Sequence, residues 1–357
     1  CKSSVIMISK KSKQMKLNLL TLKSLLFLFI FITSCTYEED IDPLETDNRS
    51  STQTFGIRHD KSLSDYEAVG ANSTPYNTTA YPDFSSVVSF TYSLDGSSDA
   101  EFVASGVLVA PNWILTAGHN FFVADEQSNP APASGISIHI GNDPNNPEQV
   151  LTAVQLVFHP TWFDENEVVA RGNDFCLVRL SASPFGISSA PLNRSLEEPV
   201  GSTVWHSGFG DYSQQANQDK DAYSKRHAME NILDRKVSGI STTNKNGEIY
   251  IGGLVAFDFD SPDGTINSLG DDFISSDEPL LGTGTSDATA LELEGGTVEG
   301  DSGGPLWARI NNQWQVIGIL SGGADAPIEG HKDASYGDIS VYTRVSTSMA
   351  WIDSVIK

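Results

Sequence analysis

The chain has 357 residues, of which 39% are hydrophobic, which is enough to bury the core of one large domain or of two ordinary ones. Its 46 acidic and 22 basic residues give a formal net charge of -24. A surplus of this size opposes binding to nucleic acid and attraction to anionic membrane surfaces. We therefore expect no nucleic-acid partner, and we interpret the spread of acidic residues as a solubility feature.

The first 34 residues run against this acidic trend, because they contain six lysines and no acidic residue. The apolar run Leu25–Ile32 is too short to span a membrane but has the length of a signal-peptide core. We interpret residues 1–34 as an export signal. Because the sequence opens with Cys1, Met15 is the expected start of translation.

The segment Ile32-Thr-Ser-Cys35 closes the apolar run and resembles the lipobox of bacterial lipoproteins. The resemblance implies a bacterial lipoprotein, acylated at Cys35 and held at the cell envelope or surface only by that lipid. A plain signal peptide with a chance cysteine is the alternative. Residues 35–55 are polar and acidic, so they predict a flexible tether, and residues 56–357 are predicted to form the folded domain.

Cysteine usage excludes a disulfide framework in the mature domain. Cys1 and Cys35 lie in or at the edge of the export signal, which leaves Cys176 alone. An exported domain without disulfides relies on the size of its core. We interpret Cys176 as a small buried hydrophobic residue rather than a nucleophile.

Beyond residue 55, short apolar runs rich in β-branched residues alternate with clusters of Gly, Pro, Asn and Asp. Frequent short runs of this kind indicate an all-β barrel or sandwich. Six runs are predicted as strands: Ser86–Tyr92, Phe102–Val109, Trp113–Ala117, Val150–Phe158, Phe175–Leu180 and Trp314–Leu320.

Two stretches depart from the strand pattern. Ser213–Glu230 is charged and rich in glutamine, and we predict an exposed loop or a surface helix there. The segment Ser348–Lys357 has apolar residues at helical spacing, with Ser348 available as a cap, so it predicts a short terminal helix with one buried face. The apolar residues of that helix are Trp351, Ile352, Val355 and Ile356.

The stretch GTVEGDSGGPLW, Gly296–Trp307, places Ser302 in a glycine-rich turn. A serine hydroxyl is a weak nucleophile, so a catalytic serine needs a histidine to take its proton and an acid to orient that histidine. His119 at the end of one predicted strand and Asp174 at the start of another are the candidates.

These segments resemble the signature blocks of the chymotrypsin family of trypsin-like serine proteases. The similarity extends over Ala104–His119, the turn Ser207–Gly210, and the closing segments Val341–Val345 and Trp351-Ile352. It covers roughly residues 85–357 in order, which is more specific than a single motif. It implies two six-stranded β-barrels packed together, followed by a short C-terminal helix.

The resemblance also implies a role for each matched residue. Ser302 would attack the peptide carbonyl and form an acyl-enzyme, His119 would act as base and then acid, and Asp174 would orient His119. The amides of Gly300 and Ser302 would form the oxyanion hole, and Ser321 would contact Asp174. This chemistry needs no cofactor and no metal, its partners are protein or peptide substrates, and we expect a monomer.

One departure from the family concerns a disulfide that commonly flanks the histidine. The matching positions here are Ala104 and Asn120, so both halves are missing together. The absence of both cysteines fits a bacterial member of the family, and it leaves the expected catalytic mechanism unchanged.

Two other classes of protein are possible from the residues. Gly300–Gly304 also satisfies the G-x-S-x-G elbow of α/β-hydrolases, but the elbow needs a following helix, and Gly303–Trp307 is poor helix material. The second alternative is a binding lipoprotein built on an inactive protease fold. The presence of all three triad residues argues against that alternative, since a scaffold does not need them.

The resemblance places Gly296 at the floor of the primary specificity pocket, where a carboxylate would be needed to pair with Arg or Lys. The other matched lining residues are small and uncharged: Thr297, Ser321, Gly322, Gly323 and Ser340. We therefore predict cleavage after neutral, apolar residues, and Glu299 near the rim should disfavour acidic ones.

A competing signal is the segment Asn77–Pro82, which resembles one in bacterial glutamyl endopeptidases. Leu320 stands where those enzymes have a histidine, which argues against glutamate specificity.

Asp301 raises the question of activation, because in the family this aspartate pairs with a new amino terminus. An acylated Cys35 offers no free amine, so this route would need a second cut, before Ile57, which would release the domain from its lipid. The usual Ile-Val-Gly-Gly start is absent.

A structural calcium site is a further possibility. Asp258–Gly264 approximates a calcium loop but is one residue longer than the pattern, and an acidic surface turn is the alternative. The remaining histidines are interpreted as structural or solvated, among them His139, His159, His206 and His227.

Overall fold

The computed structural model describes residues 54–73, 80–97, 102–122, 129–162, 172–212, 224–270, 281–326 and 331–357. The predicted export signal, Cys35 and most of the predicted tether lie outside these residues. Thr54 and Phe55 lie inside them, and Thr54 is buried. No helix in the described part of the chain has the length and apolar character that a membrane crossing requires.

The first half of the domain is a closed antiparallel barrel with the strand order β1-β2-β3-β6-β5-β4. Its interior is filled by apolar side chains such as Phe90, Ile114, Ile138 and Val178. The strands are β1 (Val87–Tyr92), β2 (Phe102–Ala110), β3 (Trp113–Thr116), β4 (Ser137–Ile140), β5 (Gln149–Phe158) and β6 (Cys176–Leu180).

The second half is a seven-stranded antiparallel sheet with the order β8-β7-β11-β12-β13-β10-β9. Its strands are β7 (Thr203–Gly208), β8 (His227–Ile232), β9 (Arg235–Thr243), β10 (Ile249–Asp258), β11 (Pro305–Ile310), β12 (Gln313–Ala324) and β13 (Ile339–Arg344).

The two strands at the ends of that order are consecutive in the chain, since only Leu233 and Asp234 separate β8 from β9. The first pairs with β7 and the second with β10, so one bent strand joins both ends of the sheet. Counted as one strand, β8 and β9 make this half six-stranded. The predicted all-β, chymotrypsin-like fold with a short C-terminal helix is confirmed.

The terminal helix α2 spans Met349–Val355 and buries Ile352 completely. The predicted cap was wrong in detail, because the Ser348 hydroxyl makes no capping bond and is buried with no hydrogen-bond partner among the described residues. A 3-10 turn at Val345–Ser348 leads into the helix and holds Ser348 at φ -107°, ψ 9°, away from the extended conformation of a capping residue.

The six predicted strands all form, with ends that agree within one residue except that β12 continues to Ala324. Most of the predicted loop Ser213–Glu230 lies outside the described residues, and the prediction was wrong at its end, because His227–Glu230 belong to β8. Polar residues obscure this strand in the sequence, although the His227 side chain is buried. The helix α1 (Leu63–Gly70) was not predicted, although Ser62 and Asp65 form a capping box at its start.

Candidate active site

The first part of the site lies at one end of the closed barrel, where β3 and β6 run side by side. Their antiparallel register pairs Thr116 with Cys176, so the segments that flank this pair meet. His119 follows β3 and Asp174 precedes β6. The two side chains are joined by a 2.7 Å contact between His119 Nδ1 and Asp174 Oδ2.

Asp174 is fully buried, and its carboxylate is held by four donors. Oδ1 accepts from the amides of Gly118 at 2.7 Å and His119 at 2.9 Å, and Oδ2 also accepts from Ser321 Oγ at 2.5 Å. Burial acts to lower the pKa of His119, but the charge of Asp174 and its hydrogen bond to the ring outweigh burial and raise that pKa. The imidazole is therefore oriented and made more basic by one carboxylate.

Ser302 lies in the turn before β11, and this turn is bonded directly to the segment that carries His119. The Ser302 carbonyl accepts from the Ser105 amide at 2.9 Å and from Asn120 Nδ2 at 3.1 Å. Gly303 permits this approach, since a Cβ there would lie 2.0 Å from Thr116 Oγ1. The backbone of the nucleophile candidate is thus fixed against the barrel that supplies the histidine.

The same turn leaves two amides available. Among the described residues, no acceptor is bonded to the amides of Gly300 or Ser302, whereas the Asp301 amide donates to Val298 O at 3.1 Å. Gly300 has φ +91°, a conformation that suits glycine. Two free, neighbouring N–H groups can stabilise a negative oxygen. No hydrogen bond joins Ser302 Oγ to His119 within this part of the structure, and such bonds are often loose before substrate binds.

The residues predicted to line the specificity pocket lie on adjacent segments. Thr297 Oγ1 is 3.0 Å from Ser340 Oγ on β13, and Gly296 packs beside the buried ring of Phe259. Gly322 and Gly323 pair with Val341 and Ser340. Ser321 differs from the other five, since its hydroxyl is bonded to Asp174.

A second histidine cluster surrounds the completely buried Asp301. Its Oδ1 accepts from the Gly210 amide at 2.9 Å and lies 3.1 Å from His227 Nε2 and 3.5 Å from His206 Nε2. Its Oδ2 accepts from Tyr212 OH at 2.6 Å and from the Val298 amide at 3.1 Å. Burial alone would raise the pKa of Asp301, but the two histidines hold that pKa well below its usual range.

Several of these residues were missed from the sequence, or were interpreted only as structural or solvated. Asn120 replaces a cysteine of the family pattern and bonds to Ser302 instead, and its place next to His119 was an available signal. His206 and His227 had no comparable signal, because their strands meet only through the pairing of β7 with β8. Cys176 is buried, and burial raises its pKa well above the usual value, as expected for a core thiol.

The stretch Asp258–Gly264 is not one of the clusters in the described residues whose side-chain ligands come close enough to share an ion. Asp258 Oδ2 accepts from the Leu269 amide at 2.8 Å, and Asp263 accepts from Ser261 and Thr265 within its own turn. These contacts describe a hydrogen-bonded turn.

The chain is similar in sequence to known proteins. The family model described as Trypsin matches residues 78–253 and 278–352. Serine protease 28 of Mus musculus is 25% identical over 261 residues, which is 71% of this chain and 78% of that protein. Urokinase-type plasminogen activator of Gallus gallus is 26% identical over 264 residues, which is 71% of this chain and 51% of that protein, about half its length. The solved structure of a Glu endopeptidase in complex with MPD covers 80% of this chain and 94% of its own, at 14% identity and a TM-score of 0.48.

Because the family model matches more than half of the chain, this protein belongs to the trypsin family of serine proteases. It is a serine-type endopeptidase, and its substrates are proteins or peptides. The α/β-hydrolase alternative is wrong, since Ser302 is followed by strand β11 rather than by a helix.

Proposed function

We propose that this protein hydrolyses peptide bonds with Ser302 as nucleophile, His119 as general base and acid, and Asp174 as the residue that orients His119. The observation that carries the proposal is the 2.7 Å contact between His119 Nδ1 and the buried Asp174, next to a Ser302 turn bonded to Asn120. With Nδ1 committed to Asp174, Nε2 is the nitrogen left to face the serine.

In the proposed reaction, His119 Nε2 takes the proton from Ser302 Oγ while Oγ bonds to the carbonyl carbon. The carbonyl oxygen becomes an oxyanion and accepts hydrogen bonds from the amides of Gly300 and Ser302. His119 then gives its proton to the amine leaving group, which breaks the C–N bond and leaves an acyl-enzyme. Water attacks this ester through the same base, and the proton returns to Ser302 Oγ.

Covalent labelling tests this assignment. The folded, processed protein is treated with a fluorophosphonate probe, and the modified peptide is identified by mass spectrometry. We expect one adduct, on Ser302, lost in Ser302→Ala and kept in the surface control Ser64→Ala. No labelling of active-site serine in the wild-type protein would favour the inactive binding scaffold and would overturn the proposal.

We propose further that the cut follows a neutral, apolar residue. Gly296 carries no side chain to pair with a charged substrate group and lies against Phe259, while Thr297 and Ser340 offer only hydroxyl groups. Cleavage of a peptide library, read by mass spectrometry, measures this directly. Strong preference for Arg, Lys or Glu at the position before the cut would contradict it, and preference for Glu would support the glutamyl-endopeptidase alternative.

For localisation, we propose export followed by lipid attachment at Cys35. Membership in the trypsin family is consistent with an exported protein, and the lipobox-like segment is the observation that supports the anchor. The intact mass of the mature protein, purified from membranes with detergent, tests this. An unmodified amino terminus, or a Cys35→Ala variant that fractionates as the wild type does, would argue for a plain signal peptide.

A further inference from the structure

Asp301 is the residue next to the proposed nucleophile, and the position of its carboxylate determines the shape of the turn that carries Gly300 and Ser302. All of its polar partners come from within the folded domain: two backbone amides, Tyr212, His206 and His227. A buried carboxylate that lost such partners would carry an uncompensated charge and could not keep its place. The partners of Asp301 therefore control whether the two proposed oxyanion amides point to the substrate.

The amino-terminal segment docks beside this cluster without a free amine. The Gly56 amide donates to Ala334 O at 2.6 Å, and the Gly56 carbonyl accepts from the Gly296 amide at 2.9 Å. Ile57 is buried in the same apolar cluster as Tyr212 and Val298. The segment around the expected cut is therefore packed against the residues that surround Asp301.

Charge balance indicates which group compensates Asp301. Burial lowers the pKa of His206, and this favours its neutral form. His227 Nε2 lies closer to the carboxylate, at 3.1 Å against 3.5 Å. By distance, His227 is the side chain better placed to compensate the charge of Asp301. The three side chains could also surround a metal ion, but a divalent cation with one carboxylate would leave a net positive charge in a place that no solvent reaches.

We propose that His227, supported by Tyr212, is a positioning residue that takes the place of a free amino terminus at Asp301, so that the uncut chain already has a formed oxyanion hole. The inference rests on the proposed roles of Ser302 and Gly300. It makes the predicted cut before Ile57 unnecessary for activity. It also assigns a function to a histidine that does not touch the substrate.

The test compares variants of the full-length protein, whose amino terminus is sequenced after each assay. We expect wild-type protein with an intact Gly56–Ile57 bond to be active. His227→Leu should lower kcat and the rate of fluorophosphonate labelling by about 100-fold, the usual cost of losing one oxyanion donor, while KM changes by less than about threefold. His227→Gln, which restores a donor, should recover part of kcat, and the control His139→Gln should leave it unchanged.

Tyr212→Phe provides a second variant in case His227→Leu does not fold, because it removes one hydroxyl and keeps the ring. We expect it to lower kcat by about tenfold with KM unchanged, as the loss of one hydrogen bond to a charged group predicts. Activity that appears only after cleavage before Ile57, or an unchanged kcat in both variants, would overturn the inference.

Two further outcomes separate the inference from its alternatives. Wild-type protein that never labels at Ser302 would defeat the proposed function, whereas a labelled wild type with unaffected His227 and Tyr212 variants would defeat only the inference. Stoichiometric metal in the purified protein, with kcat lost on chelation and restored by zinc, would overturn the role of His227 in favour of a metal site.

Discussion

Two buried aspartates belong to the surroundings of the proposed nucleophile, and each has a histidine beside it. Asp174 meets His119, whose side chain is 19% exposed, whereas Asp301 meets His206 and His227, which are 0% and 1% exposed. A histidine that must exchange protons with substrate needs an open edge, and His119 has one. A histidine that only holds a charge in place can be fully buried, and His227 is almost fully buried.

The two pairs also differ in what surrounds the carboxylates. At Asp174, Oδ2 accepts from a hydroxyl and an imidazole, which can both rotate or change tautomer. At Asp301, both oxygens accept from backbone amides, which can neither rotate nor change tautomer. Oδ1 accepts from the Gly210 amide and Oδ2 from the Val298 amide. We therefore expect a substitution at Asp174 to cost little stability and a substitution at Asp301 to cost much more.

The largest expected effect is on turnover, from Asp174→Asn. The amide leaves the backbone contacts of Oδ1 intact but favours the wrong tautomer of His119, so we expect kcat to fall about 10⁴-fold. Steady-state kinetics on a peptide ester or amide measures it. A loss smaller than tenfold would mean that Asp174 does not orient the base.

The variant Asp301→Asn should affect both turnover and stability. Either orientation of its amide points an NH₂ group at a backbone N–H, so we expect a loss of about 3 to 5 kcal/mol in the free energy of unfolding, the usual cost of breaking a buried pair. We also expect kcat to fall about 100-fold or more, through the disturbed oxyanion turn. Denaturant unfolding measures the free energy of unfolding of Asp301→Asn and of Asp174→Asn. Equal losses in the two variants would contradict the proposed difference between the two pairs.

A smaller effect is expected from Ser321→Ala, which removes one donor from Asp174. Hydrogen bonds to charged groups contribute about 1.5 to 3 kcal/mol, so a roughly tenfold fall in kcat/KM follows if the bond helps to hold the carboxylate toward His119. The control is Ser64→Ala on the exposed face of α1. An unchanged kcat/KM in Ser321→Ala would mean that this hydrogen bond serves folding alone.

The pH dependence of activity tests the His119–Asp174 pair. His119 must be neutral to act as base, so activity is lost as pH falls through its pKa, which Asp174 raises above the ordinary 6.5. We expect the acid limb of kcat/KM above pH 6.5 in the wild type and at lower pH in Asp174→Asn, where burial is left to lower the pKa. An acid limb that does not move would assign it to another group.

The smallest effect is expected from Cys176→Ala. Cys176 lies two residues after Asp174, but its thiol faces the apolar core of the closed barrel. We expect unchanged kcat/KM and a loss of about 1 kcal/mol in stability. Loss of activity after alkylation of the native thiol would contradict its role as a core residue.

Much of the site could be predicted from the sequence, because each triad candidate lies in a short contiguous motif. His119 and Asp174 lie beside predicted strands, and the register of β3 and β6 joins them, whereas Ser302 precedes β11, a strand that was not predicted. The six predicted strands agree with the structure for the same reason.

The Asp301 cluster could not be predicted, because its members come from separate strands and turns that meet only in the folded domain. His206 and His227 lie on strands with few consecutive apolar residues, and the sealed environment that defines them is a property of packing. The cap at Ser348 failed for a related reason, since the preceding 3-10 turn fixes its backbone. Local patterns predicted a chemistry for the site but not the contacts that support it.

The most direct measurement of the central claim is a crystal structure of the protein after reaction with a small fluorophosphonate. We predict phosphorus bonded to Ser302 Oγ, with a phosphoryl oxygen within hydrogen-bond distance of both the Gly300 and the Ser302 amides. We also predict His119 Nε2 facing Ser302 Oγ. An adduct on another residue, or a phosphoryl oxygen turned away from these two amides, would contradict the claim.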